Sequence, residues 1–138
     1  MSDDEIVIDG GMPILIPEDE YDAECCFCGR VVRFYRPTLL MRFRIVGLTP
    51  HKGSVLEAWF PLGPSGKPGR GSKLVRMYRL IASDQRSDRI SLKFFRESLW
   101  RIAVRTVQKD REQKPLPPTL WHSVVDSILG RIGPIGGR

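Results

Sequence analysis

Four stretches of this chain alternate apolar and polar side chains with a period of two, and the polar side of the alternation is repeatedly arginine. Residues 21–28 set Tyr21, Ala23, Cys25 and Phe27 against Asp22, Glu24, Cys26 and Cys28. Residues 40–46 set Met41, Phe43 and Ile45 against Arg42 and Arg44, and residues 55–62 set Leu56, Ala58, Phe60 and Leu62 against Trp59. Residues 99–107 set Trp100, Ile102, Val104 and Thr106 against Arg101, Ala103 and Arg105. A two-residue period sends successive side chains to opposite faces, so each stretch reads as a half-buried strand with one wet face, cationic in the second and fourth. The first strand is expected to continue extended through residues 31–36 until Pro37, with Gly29 admitting a bulge or kink. Cys25 then serves as a small core residue.

The period changes after the third strand. Residues 63–72, with Gly63, Pro64, Gly66, Pro68, Gly69 and Gly71, form a flexible loop carrying Lys67 and Arg70. It lacks the G-x-x-x-x-G-K-[ST] phosphate-binding pattern. Leu74, Met77, Tyr78 and Ile81 then recur at helical spacing, predicting a helix over residues 73–82 that packs on the sheet, with Lys73, Arg76 and Arg79 along a basic ridge. Phe94 and Phe95 are adjacent, so one of them belongs to the core. Residues 108–118 read as a polar loop. Beyond it, Thr119 as cap, Trp121, Val124, Val125 and Ile128 as an apolar stripe and Gly130 as stop predict a C-terminal helix from Leu120 to about Leu129. Trp100 and Trp121 are assigned to packing. The organisation expected is an acidic arm over residues 1–16, a domain over 17–130 and a flexible Gly-rich tail over 131–138.

The chain is 138 residues long with 41% hydrophobic residues, enough for one core. It has no apolar run near the roughly 20 residues of a membrane-spanning helix, and its first residues are acidic where a signal peptide is basic, so a soluble cytoplasmic protein is expected. Charge is unevenly spread. Up to Glu24 there are nine acidic residues and no Lys or Arg; afterwards 22 basic residues face seven acidic ones. Such an excess attracts polyanions, and nucleic acid comes first because Lys and Arg release counterions when they meet phosphates. Arginine supplies 16 of the 22 cations, which favours fork-like phosphate contacts and stacking. The acidic arm reads either as a solvated tail or as a segment that competes with nucleic acid for the basic body.

Catalysis has little to stand on. Cys25, Cys26 and Cys28 lie too close together to staple distant segments, and their C-x-x-C has neither a second pair nor a nearby histidine, since His51 and His122 are remote. The acids of the body (Glu57, Asp84, Asp88, Glu97, Asp110, Glu112, Asp126) show no motif pairing them with each other or with a histidine. The chain therefore reads as a binder, without metal or cofactor.

Three strands, a helix and one or two further strands give the element order of an OB-fold, a five-stranded partly open barrel whose second and third strands bind oligonucleotides. SH3-like barrels and other α+β domains share similar strings. The expected architecture is mainly β, an OB-fold-like barrel with an inserted helix and a C-terminal helix.

The opening Ile16-Pro17-Glu18-Asp19-Glu20-Tyr21 resembles the L-P-x-G-x-Y start of OB-fold single-stranded DNA-binding proteins from phages, plasmids and integrative elements, with Asp19 or Glu20 in place of the glycine. Similar too are the strand with Phe43, the run Ala58-Trp59-Phe60-Pro61-Leu62, the strand from Ile102 to Val107, and Trp121-His122-Ser123-Val124-Val125-Asp126. The resemblance implies sequence-independent binding of single-stranded DNA during replication or recombination of a phage or mobile element, with replication or recombination proteins as partners. The chain ends Gly-Gly-Arg, not in the acidic, Phe-terminated tail of cellular single-strand binding proteins.

Such binding needs an electropositive groove with aromatic side chains on which bases stack. Trp59 and Tyr35 are the candidate stacking surfaces. Arg33, Arg42, Arg44, Arg101 and Arg105 are the candidate phosphate contacts, and Lys73, Arg76 and the Lys67/Arg70 loop would extend the track. A packed Trp59, under the C-terminal helix or in a dimer interface, is the competing reading. A basic protein-interaction or RNA-binding module is the alternative function, and the open strand edges of a small barrel would suit a homo-oligomer.

Overall fold

The computed structural model describes residues 14–86 and 88–135. Its elements run β1 (Glu20–Arg33), β2 (Arg36–Ile45), β3 (Val55–Pro61), α1 (Lys73–Ile81), α2 (Leu92–Arg96), β4 (Ser98–Val107) and β5 (His122–Pro134). The strands form one antiparallel sheet in the order β3-β2-β1-β4-β5. β1 pairs with β4 over Glu20–Glu24 and with β2 from Ala23 to Arg33, so this long strand hands the sheet from one partner to the other. The sheet is not a closed barrel. No ladder joins the edge strands β3 and β5, and helices are few.

The alternation foreseen for β2, β3 and β4 holds: Met41, Phe43, Ile45, Leu56, Ala58, Phe60, Trp100, Ile102 and Val104 are all buried. β1 departs from it because the bulge falls at Cys26, not Gly29; Cys25 pairs with Phe43 and Phe27 with Arg42. An extra residue reverses the phase of everything after it. Cys28 therefore joins Cys25 in the core, and Phe27, expected inward, is exposed on the outer face. β1 also ends sooner than expected, since a two-residue turn at Phe34 and Tyr35 sends the chain back from Arg33 to Arg36.

The predicted C-terminal helix is a strand. β5 sets 13 residues against the ten of β4, because Asp126, Leu129 and Ile132 are each left over between paired positions. Three bulges three residues apart bring Val125 and Ile128 inward at a spacing of three, the spacing a helix face would show. The β-branched Val124, Val125, Ile128 and Ile132 suit a strand better than a helix. Thr119 lies in a short 3-10 turn, Pro118–Leu120, instead of capping a helix. Of the predicted flexible tail, residues 131–134 belong to β5 and 136–138 lie outside the described residues, as do residues 1–13 of the acidic arm.

The inserted helix is present as α1, started by Ser72, whose hydroxyl accepts the Val75 amide, and seated through Leu74, Met77 and Tyr78. α2 was not foreseen. Five residues are too few to show a period, but Phe95 on it is fully buried against Trp100, ring centroids 5.2 Å apart, and its carbonyl accepts the Trp100 indole N–H at 3.0 Å. Before β1, the chain runs beside the start of β5: the Ser123 amide donates to the Ile14 carbonyl at 2.7 Å and the Ile16 amide to the Ser123 hydroxyl at 2.8 Å.

Candidate nucleic-acid interface

A groove of about 1260 Å³ separates β3 from the start of β5 and the loop between β4 and β5. Strand geometry makes its walls. Trp59 turns away from the core because Ala58 and Phe60 turn toward it, and on β2 its register partner is Leu40. The far wall is the loop after β4, organised by Asp110, whose Oδ1 accepts the amides of Glu112 at 2.8 Å and Lys114 at 2.9 Å.

Cations and aromatic rings alternate at one end of the groove. The Arg33 guanidinium lies 4.0 Å from the centre of the Trp59 ring and 4.9 Å from that of Phe34, and the Arg111 guanidinium lies 3.3 Å from the centre of the same Phe34 ring. Arg111, Phe34, Arg33 and Trp59 thus link the β4–β5 loop, the β1–β2 turn and β3 by cation–π contacts, each worth about 0.5–2 kcal/mol. Burial draws the Arg33 guanidinium below its ordinary value; Glu57 opposes that and Arg111 adds to it. The turn is conformationally costly. Phe34 (φ 52°) and Tyr35 (φ 64°) are both left-handed, where Asn and Gly are the residues such turns favour.

Among the described residues six cations line the groove (Arg33, Arg42, Lys73, Arg105, Lys109, Arg111) against three acids, Glu57, Asp110 and Asp126. Each acid is already engaged. Glu57 meets Arg42 at 3.0 Å, Asp126 meets Arg105 at 3.2 Å, and Asp110 holds its own loop. The Lys73 ammonium donates to the Asp126 carbonyl, and Arg33, Lys109 and Arg111 have no acidic partner among the described residues.

Of the nine candidate residues, the structure gathers Arg33, Arg42, Trp59, Lys73 and Arg105 at this groove. Tyr35 stands beside it, wholly exposed at the tip of the turn. Arg44 and Arg101 sit elsewhere on the sheet, paired with Glu24 at 2.8 Å and with Asp22 at 2.8 Å; the Asp22 hydrogen bond raises the Arg101 guanidinium above its ordinary value. Arg76 is exposed on α1 and does not line this groove. Sequence reasoning missed Phe34, Lys109 and Arg111. A two-residue turn without Asn or Gly gave no hairpin signal, and periodicity says nothing about where a loop folds back. Trp121, assigned to packing, is half-buried outside the core, its indole N–H donating to the Leu116 carbonyl at 3.0 Å.

Cys25, Cys26 and Cys28 are free thiols. The hydrogen bond between Cys25 and Cys28 raises the first and lowers the second, with burial raising both. Among the described residues no group of three or more His, Cys, Asp or Glu converges, and no helix is long and apolar enough to cross a membrane. In comparisons with known proteins the chain matches no family model, no curated protein and no solved structure.

Proposed function

We propose that this protein is an OB-fold single-stranded DNA-binding protein that holds the strand without sequence preference in the groove between β3 and the β4–β5 loop. The observation that carries the reading is the ladder of Arg111, Phe34, Arg33 and Trp59, in which Arg111, Arg33 and Trp59 line a groove that has three more cations than acids among the described residues. Stacking on an aromatic ring is indifferent to base identity and is worth about 1–3 kcal/mol per base. Bases stack on Trp59 and Phe34 while the phosphates meet Arg33, Arg42, Lys73, Arg105 and Arg111. Strand order supports the fold assignment: β1 pairs with both β2 and β4, a helix lies between β3 and β4, and the edges of β3 and β5 face each other across the groove. The mechanism is binding alone, with no covalent step. The setting in phage or mobile-element replication or recombination rests on the sequence resemblance.

The test is a titration of the protein and Trp59→Ala with a fluorescent oligo-dT of about 30 nucleotides and with a matching duplex, at two salt concentrations. Expected are tight single-strand binding, weaker duplex binding, a steep loss with salt, and a loss of about 5- to 150-fold in the variant, the equivalent of one stacked base. Equal weak binding to both substrates, unmoved by Trp59→Ala, would refute the reading in favour of a basic protein-interaction or RNA-binding module.

A further inference from the structure

We infer that a second cleft, on the other flank of α1, takes the phosphodiester backbone of the single strand as it leaves the groove. The inference rests on the proposed function for the identity of the polyanion, and on its own geometry for the site. The cleft, about 640 Å³, lies among the 63–72 loop, α1, residues 88–92 and the adjoining parts of β1 and β2. Among the described residues Arg30, Lys67, Arg70, Arg79 and Arg89 line it, from four separate segments of the chain, against one acid, Asp88.

That acid is committed elsewhere. Arg86 grips both its oxygens at 3.0 and 2.8 Å, and Arg89 adds a contact at 3.9 Å, so its carboxyl is held below the usual range, first by the Arg86 hydrogen bonds. No acid among the described residues pairs with Arg30, Lys67, Arg70 or Arg79. Like charges gathered in a concavity repel one another and focus a positive field, and an external polyanion relieves both.

The chemistry favours backbone over base. Tyr78 is the one aromatic side chain lining the cleft; it is buried, its ring packs on Phe94 and Phe95, and its hydroxyl accepts the Ser91 amide at 3.1 Å. No ring is left for stacking. The loop that carries Lys67 and Arg70 is held in place, the Gly63 amide donating to the Lys67 carbonyl at 2.9 Å and the Gly66 amide to the Gly63 carbonyl at 2.8 Å. The two sites adjoin: Phe60 lines the groove and Leu62 the cleft, about 7 Å apart along a strand, and Lys73 lines the groove where Leu74 lines the cleft. A strand that stacks its bases on one side of this boundary can lay its phosphates on the other.

The test compares the full chain with a Lys67→Gln/Arg70→Gln/Arg79→Gln variant on oligo-dT of about 30 and about 6 nucleotides, the short one filling the groove alone. All three side chains are exposed. Each phosphate contact on a single strand contributes about 0.7 to the salt slope, so the variant's slope for the long strand falls by about 2. Between about 50 and 200 mM salt the wild type then loses about 20-fold more affinity for the long strand than the variant does. Binding of the short strand stays the same within about twofold. A control, Lys52→Gln/Lys93→Gln/Arg96→Gln, removes the same charge from residues that line neither site and leaves the long-strand slope within about 0.7 of wild type. An unchanged slope in the cleft variant, an equal loss on the short strand, or an equal loss in the control overturns the second site and leaves the groove standing. A wild type that binds neither strand overturns the proposed function itself, and the cleft's ligand with it.

Discussion

Away from the groove the arginines of the sheet's outer face are matched by acids alone, whereas the half that borders it sets Arg33 between aromatic rings beside the acid-paired Arg42 and Arg105. Arg44 lies directly across from Glu24, and Arg101 from Asp22, in the strand register, and each pair closes at 2.8 Å. Arg33 instead faces Arg36, a like-charge pairing that strands disfavour, and its guanidinium is taken up between Trp59 and Phe34. The acid-matched half is close to neutral. A polyanion arriving there exchanges one exposed ion pair for another, each worth about 0–1 kcal/mol. The aromatic half keeps its charge, because a π face attracts a cation without cancelling it. An outward arginine on a strand is therefore not a binding residue by virtue of facing water; the residue across from it decides.

The largest effect that tests this contrast comes from Phe34→Ala. It removes the ring shared by Arg33 and Arg111, and single-strand affinity is expected to fall by about 5- to 150-fold, measured by fluorescence anisotropy. Retained affinity would mean that the ladder is a structural tie between two loops and that the binding face lies elsewhere.

Tyr35→Gly separates conformational cost from function at the same turn. A left-handed tyrosine costs roughly 1–2 kcal/mol that glycine does not, so urea unfolding should show a gain of about that size. Affinity for the single strand should fall about fivefold, the loss of one weak stack. A gain in stability with no loss in binding would remove Tyr35 from the interface while leaving Phe34 in it.

How much of this was readable beforehand follows from what periodicity can carry. The inward sets of β2, β3 and β4, the stripe of α1 and the reversed Trp59 all follow from an unbroken period of two or 3.6. β1 and β5 were misread in part because bulges break that period: one at Cys26 flipped Phe27 outward, and three in β5 imitated a helix. The groove was half legible. Trp59 and Arg33 could be placed on a face from their own strands, but Phe34 needed a turn that its residues do not advertise, and Arg111 needed the fold of a loop. The charge split at Glu24 misled in one respect. Asp22 and Glu24 were read as strand residues, yet were counted apart from the basic body; with Glu20 they belong to β1, where they offset Arg101 and Arg44, so the sheet carries less net charge than the split implies.

Glu57→Gln sharpens the contrast from the other side, since Glu57 is the acid that holds Arg42 at the edge of the aromatic half. With Glu57 neutral, Arg42 no longer gives up one anion to meet a phosphate, so the salt slope should steepen by up to about 0.7, with affinity at low salt rising a few-fold. An unchanged slope would show that Arg42 never reaches the strand.

The smallest effect is expected where the notion of outward arginines as binders would put a large one. In Arg44→Gln/Arg101→Gln, two exposed ion-pair sites lose their cations, and the acids left behind, Glu24, Asp22 and Glu20, keep access to water. Stability should stay close to wild type, because an exposed pair gains little over two solvated charges. Single-strand affinity should stay within about twofold, since neither cation lines the groove. A loss beyond tenfold would route the nucleic acid over the acid-matched half, and the division of the face into a neutral and a binding half would fail at its root.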